Sequence, residues 1–208
     1  MFYFVKTPGW LKALYKQAIW SMPADDKKIY LSFDDGPHPA ITPFVLDELK
    51  KHNAKASFFC IGKNVLAYPA IYQRIIDEGH AVGNHSFSHL NGWKTDDATY
   101  LDDIAEAKKY IDSNLFRPPY GRIKRFQLRQ LALSRFKLKA IMWTVLSGDF
   151  DEELSPQKCL QHVLLNTAAG SIVVFHDSEK ANIRMRYALT GTLEHFSGKG
   201  YRFDKIVL

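Results

Sequence analysis

The chain has 208 residues, 46% hydrophobic and 24% charged, a globular mixture sized for one domain that excludes a disordered, collagen-like or low-complexity polymer. Lys and Arg outnumber Asp and Glu by 28 to 22, a formal charge of +6 that suits either an anionic partner or simply a soluble, lysine-rich surface. Cys60 and Cys159 have no C-x-x-C spacing and define neither a disulfide scaffold nor a cysteine zinc site.

No stretch reaches the ~20 consecutive apolar residues of a membrane span. The amino-terminal MFYFVKTPGWLKALYKQAIW is apolar, but Lys6, Lys12 and Lys16 interrupt it and no small-residue cleavage site follows. With no cleavable signal visible, a cytoplasmic location is the default expectation. Thr7 and Pro8 read as the cap and first residue of a helix. Its apolar face, Trp10, Leu11, Leu14, Tyr15 and Ala18, is expected to pack on the domain, with a membrane-surface helix as the minority reading. Residues 1–27 thus form an N-terminal segment and residues 28–208 the main domain.

From residue 28 onward short apolar runs alternate with helical patterns. The runs are IYLSF (29–33), ASFFCIG (56–62), HAVGNH (80–85), LKAIMWTVL (138–146) and SIVVFHD (171–177). Between them lie ITPFVLDELKKH, PAIYQRIIDEGH, DATYLDDIAEAKKYI, KRFQLRQLALSRF and SPQKCLQHVLLNTAA, with apolar residues at three- and four-residue spacing. Ser155-Pro156 reads as a cap followed by proline at the first helical position, and Gly79 and Gly170 as helix ends. This alternation implies a parallel sheet with helical crossovers, open or closed into a barrel.

Polar residues gather where the runs end. Asp34 and Asp35 follow IYLSF, His85 ends HAVGNH, Asp149 follows LKAIMWTVL, His176 and Asp177 end SIVVFHD, and Arg117 follows Leu115-Phe116. In parallel α/β proteins the carboxyl ends of strands share one face, so these distant residues are expected to converge.

Each cluster carries a chemical possibility. Neighbouring Asp34 and Asp35 on an extended chain point apart, which favours two roles over one. HSFSH (85–89) places His85 and His89 four apart, on one side of a helical turn if the segment makes one. With one carboxylate of the Asp pair they complete a set of three ligands, the pattern of a catalytic metal site with open positions. FRPPYG (116–121) is a stiff turn that presents Arg117 and Tyr120 in set directions, and a guanidinium can make paired hydrogen bonds to a carboxylate. His176 at the end of a buried strand suits a general acid, with Asp149 the charged neighbour expected to hold it protonated or oriented.

Taken in order, SFDDGP, HSFSH, RPPY, SGDF and VVFHD resemble the motifs of the polysaccharide deacetylases, carbohydrate esterase family four, across roughly residues 28–207. The resemblance implies a distorted (β/α) barrel of about seven parallel strands, with residues 28–208 as the catalytic domain. It also implies a hydrolase that removes N-acetyl groups from N-acetylglucosamine units of a polysaccharide or oligosaccharide and releases acetate. By position it implies Asp34 as catalytic base, Asp35, His85 and His89 as ligands of a divalent metal, usually Zn2+, and Arg117 as the residue that orients Asp34. The Tyr120 amide would bind the oxyanion, His176 would be the general acid with Asp149 as partner, and Phe150 and Val174 would line the acetyl pocket. Phe150 stands where the family commonly has tryptophan, and Ser32 where it commonly has threonine.

The expected partner is an acetylated glycan, acted on by a monomer without stable membrane insertion. Two alternatives keep the fold: an O-acetyl esterase acting on acetylated xylan, and a non-catalytic glycan-binding relative. A nucleic-acid binder built on GRIKRFQLRQLALSRFKLK (121–139) is disfavoured. Those basic residues fit the wet face of a helix whose Leu128, Leu131 and Leu133 or Phe136 turn inward.

Overall fold

The computed structural model describes residues 3–24, 26–133 and 135–208; Met1, Phe2, Asp25 and Ser134, which fall in the N-terminal segment and the 124–136 pattern, lie outside them. In chain order the elements are α1 (Gly9–Leu14), β1 (Lys28–Asp34), α2 (Ile41–Lys51), β2 (Ala56–Cys60), α3 (Gly62–Ala67), α4 (Pro69–Asp77), β3 (Ala81–Asn84) and α5 (Asp97–Lys108). There follow β4 (Leu115–Phe116), α6 (Arg125–Leu131), β5 (Lys139–Ala140), β6 (Val145–Leu146), α7 (Pro156–Asn166), β7 (Ile172–His176), α8 (Asn182–Gly198) and β8 (Arg202–Phe203). Seven strands pair in parallel in the order β5-β4-β3-β2-β1-β7-β6, and β8 pairs with β1 off this path. The fold is the distorted (β/α) barrel expected from the motifs.

Strand β1 sits at the centre and shows how the site is positioned. Its odd residues Ile29, Leu31 and Phe33 face the helical layer, where Phe33 lies between Phe58 of β2 and Phe175 of β7 at ring distances of 5.1 and 6.0 Å. Its even residues Tyr30, Ser32 and Asp34 face the barrel interior, because side chains alternate along a strand. The register aligns Tyr30 with Ile172, Ser32 with Ser57 and Val174, and Asp34 with Phe59 and His176. The interior is therefore apolar at the bottom and ionisable at the top, where the strands' carboxyl ends open.

The strand order leaves a seam between β5 and β6, and the N-terminal segment fills it. The Leu146 amide donates to Val5 O (2.8 Å) and the Thr7 amide to Thr144 O (2.9 Å); further along, the Ile19 amide donates to Ala140 O (2.9 Å) and Met142 to Ile19 O (2.7 Å). These bonds explain why the apolar run 138–146 is two strands and not one: its middle residues turn away to bond the segment. Leu11, Tyr15, Ala18 and Trp20 pack into a cluster with Tyr100, Leu128 and Phe136.

Some local expectations shift. Thr7 does not cap α1; its hydroxyl donates to Trp143 O (2.7 Å), and the helix starts after Pro8 with no side-chain cap. Trp10 and Leu14 are exposed, since α1 ends at Leu14 and its period does not carry through to Tyr15 and Ala18. In the basic stretch Leu128, Leu131 and Phe136 turn inward while Leu133 stays exposed, and Lys124 and Arg135 pair with Asp97 and Asp102. Ser155 caps α7 as read, accepting from the Lys158 amide at 3.2 Å. Both cysteines are buried and free. Among the described residues no helix is long and apolar enough to cross a membrane.

Candidate active site

The carboxyl ends of β1, β3, β4, β6 and β7 bring Asp34, Asp35, His85, His89, Arg117, Asp149 and His176 to one mouth of the barrel. As the last residue of β1, Asp34 is buried and turns to Arg117, whose Nη1 donates to its Oδ1 at 2.8 Å. Asp35 follows at φ 82, so its carboxylate swings to the other side. There its Oδ1 lies 3.3 Å from His89 Nε2 and 3.7 Å from His85 Nε2. The opposite orientations expected of the pair are present.

HSFSH makes no helical turn. Ser86 and His89 both have left-handed backbone (φ 60 and 59), and this bend, not helical periodicity, sets the two imidazoles 5.0 Å apart. Side chains on neighbouring elements hold the bend. Asn84 Oδ1 accepts from the Ser86 amide at 2.8 Å, and Asp103 Oδ2 accepts from the Phe87 and Ser88 amides at 2.9 and 3.0 Å. His85 Nδ1 bonds Arg117 O at 2.7 Å, which leaves Nε2 as the nitrogen facing Asp35. Burial lowers His85 to about 4, outweighing the nearby carboxylates, so the ring is neutral as a ligand must be. Burial works to raise Asp35, but the hydrogen bond with His89 and the neighbouring imidazoles, His176 foremost, hold its carboxyl below the usual carboxylate range.

The donor atoms of Asp35, His85 and His89 all lie within 4.8 Å of one another. A buried imidazole kept neutral, a second imidazole and one carboxylate, with His89 and Asp35 part-exposed at the mouth, suit a divalent cation that keeps positions for outside ligands.

Arg117 is fully buried, and all its nitrogens are used. Besides Asp34, Nη1 donates to Ser32 Oγ (2.7 Å), Nε to Ile141 O (3.1 Å) and Nη2 to Met142 O (3.2 Å), with the guanidinium 4.0 Å above the Phe59 ring. The paired two-point contact that a guanidinium can make with a carboxylate is absent here. The carbonyls at the β5–β6 break take the other donors, so Arg117 holds Asp34 through Oδ1 alone. The turn after Arg117 puts Tyr120 in left-handed backbone (φ 59), and among the described residues no acceptor is found for its amide. Its ring lies 4.6 Å from that of His89.

Opposite them, His176 Nδ1 and its own amide bond the two oxygens of the fully buried Asp149, each at 2.7 Å. Burial alone would depress this imidazole, yet Asp149 outweighs it, with Asp35 and Asp34 adding, and lifts His176 to about 10. Phe150 sets its ring edge-on to His176 at 5.3 Å, and Tyr3 of the N-terminal segment backs Phe150 at 5.1 Å. Val174 is buried on the same strand face as His176.

Further side chains support the site. Asp177 accepts from the Gly36 amide (3.0 Å) and the Thr42 hydroxyl (2.5 Å), and burial pushes its carboxyl up to about 7. Asn64 Nδ2 donates to Asp35 O at 2.7 Å, and Arg184 Nε donates to Asp149 O at 2.6 Å. A helical Asn or a core Arg carries no local signal of such work; only the fold brings them in.

A family model described as polysaccharide deacetylase matches residues 21–137, more than half of the chain. The chain belongs to the polysaccharide deacetylase family. A peptidoglycan-N-acetylglucosamine deacetylase of Bacillus cereus is 33% identical over 191 residues, 88% of this chain and 68% of the relative. A chitooligosaccharide deacetylase of Azorhizobium caulinodans is 33% identical over 160 residues, 74% of this chain and 75% of that one. The crystal structure of a peptidoglycan N-acetylglucosamine deacetylase in complex with 4-naphthalen-1-yl-N-oxidanyl-benzamide superposes with a TM-score of 0.86 at 31% identity. That match covers 96% of this chain and 95% of the other.

Proposed function

We propose that the chain is a metal-dependent hydrolase that removes N-acetyl groups from N-acetylglucosamine units of a cell-wall or chitin-like glycan and releases acetate. The observation that carries this reading is the juxtaposition of three cation-ligand side chains, within 4.8 Å of one another, with a carboxylate on one side and a carboxylate-held histidine on the other.

Asp35, His85 and His89 would hold the cation, most simply Zn2+ given two imidazoles and one carboxylate. When bound, it supplies Lewis-acid polarisation of the acetyl carbonyl and of an attacking water. Asp34, held by Arg117 through Oδ1, accepts a proton from that water as general base. The Tyr120 amide donates to the carbonyl oxygen as negative charge builds there. His176, protonated because Asp149 holds Nδ1–H, donates its Nε2 proton to the leaving amine. Phe150 and Val174 enclose the acetyl methyl. One chain supplies all seven polar side chains of the site, and a monomer is the form proposed to act. Peptidoglycan lies outside the cytoplasmic membrane, so this reading replaces the cytoplasmic default with an extracytoplasmic place of action.

The test is acetate release from N-acetylglucosamine oligomers, peptidoglycan fragments and O-acetylated xylan side by side. Release from the first two, abolished by chelation, supports N-deacetylation. Release from xylan alone would assign the O-acetyl esterase reading, and binding without release the non-catalytic one.

A further inference from the structure

Beyond the metal-ligand triad, both loops that deliver site residues run on into one exposed rim. Four residues after His89 comes Trp93, and two residues after Tyr120 comes Arg122, so both lie within about 14 and 7 Å of chain from the site. The Arg122 guanidinium stacks on the Trp93 ring at 4.2 Å. Trp93 is 51% exposed and Tyr120 59% exposed, an unusual outlay of aromatic surface beside a polar mouth.

The rim is built, not loose. Trp93 Nε1 donates to Ile123 O at 3.1 Å, and Lys124 Nζ donates to Thr95 O at 2.8 Å. Fully buried Gln127 stitches the two loops: Nε2 donates to Gly92 O (3.0 Å) and Asp97 Oδ1 (2.9 Å), and Oε1 accepts from the Lys124 amide (2.9 Å). A Cβ on Gly92 would meet Arg122 O at 2.5 Å, so the loops touch through backbone here.

The charge on this rim is unspent. Lys124 pairs with Asp97 at 3.2 Å, but among the described residues Arg122 and its neighbours Lys94 and Arg125 form no ion pair. A guanidinium seated over an indole still has its in-plane N–H donors available to bind a carboxylate two-point. An amino-sugar polymer threaded past the triad would lay its next units on this rim.

We propose that Arg122, seated on Trp93, is a specificity subsite that binds carboxylate substituents of the glycan, so that the enzyme prefers an acidic amino-sugar polymer to a neutral one. This rests on the deacetylase reading above, and the experiment separates the two. Acetate release is followed from three substrates: a neutral N-acetylglucosamine oligomer, a peptidoglycan fragment bearing free carboxylates, and that fragment with its carboxylates amidated. Direct binding of the free-carboxylate fragment is titrated in parallel on the metal-loaded protein. Arg122→Gln is expected to raise KM and Kd for the free-carboxylate fragment about tenfold with kcat unchanged, and to leave the other two substrates unaffected. Arg122→Lys, which keeps the charge without the fork, falls between, and added salt weakens only the free-carboxylate fragment. Equal effects on all three substrates, or none on any, would overturn the subsite. A wild-type protein that releases no acetate from any of them refutes the deacetylase reading instead, while the binding titration still decides the role of Arg122.

Discussion

Replacing Asp149 by Asn isolates what the buried carboxylate does for His176. The two oxygens of Asp149 hold the imidazole Nδ1 and the His176 amide, each at 2.7 Å, with no solvent contact of their own. Raising this histidine from 6.5 to about 10 is a net preference for the charged imidazole on the order of 5 kcal/mol, Asp149 with Asp35 and Asp34 outweighing burial in the cation-free chain. Because the folded value lies above the unfolded one, that stabilisation is fully present below pH 6.5 and is lost as pH rises through about 10. A cation in the triad repels the imidazolium, so the loaded enzyme titrates below 10. Asparagine removes the charge and lets the imidazole fall toward 6.5. If it reaches that value, the protonated fraction alone lowers acetate release about fourfold at pH 7 and about thirtyfold at pH 8. The assay is initial rate against pH from 5 to 10 for both proteins under saturating metal. The account requires the basic limb of Asp149→Asn to lie at lower pH than that of the wild type. Superimposable basic limbs would refute the assignment of His176 as the proton donor tuned by Asp149.

Other outcomes follow from the same geometry. Asp34→Asn should lower kcat by about 10²–10⁴-fold while metal content, measured by elemental analysis, stays at the wild-type level. His89→Ala should lose stoichiometric metal under the same measurement, since only two ligands remain. Arg117→Met leaves Asp34 buried without its partner and the Ile141 and Met142 carbonyls without donors, so urea unfolding should show a loss of about 3–5 kcal/mol. Gly36→Ala places a methyl 2.1 Å from Asp177 Oδ2 and should weaken metal binding by displacing the loop that carries Asp35, read as a raised Kd in a metal titration.

Most of the site was legible because strand ends are. A continuous apolar run that stops at Asp, His or Arg marks a buried strand emerging at the barrel mouth, and parallel topology then gathers Asp34, His85, Arg117 and His176. What was not legible depends on contacts remote in sequence. The bend of HSFSH is set by Asn84 and Asp103, not by its own spacing, so a helical turn was the natural but incorrect geometry. The split of 138–146 into β5 and β6 arises from the N-terminal segment inserted between them, which no local pattern announces. The long helix α8 had no clear signature, because Thr190-Gly191-Thr192 interrupts its apolar spacing. Gly191 lets α8 pack closely on α7, since a Cβ there would lie 2.7 Å from the end of the Leu160 side chain. The N-terminal helix shows the opposite failure, where a good apolar pattern was read past Leu14, the residue at which the helix ends.

If Asp35, His85 and His89 cage one cation on which turnover depends, Zn2+ titrated into chelator-stripped protein restores acetate release from an N-acetylglucosamine oligomer. The expected result is no release from the stripped protein and recovery that levels off at one equivalent, with no recovery in His85→Ala. Undiminished release from verifiably metal-free protein would contradict it.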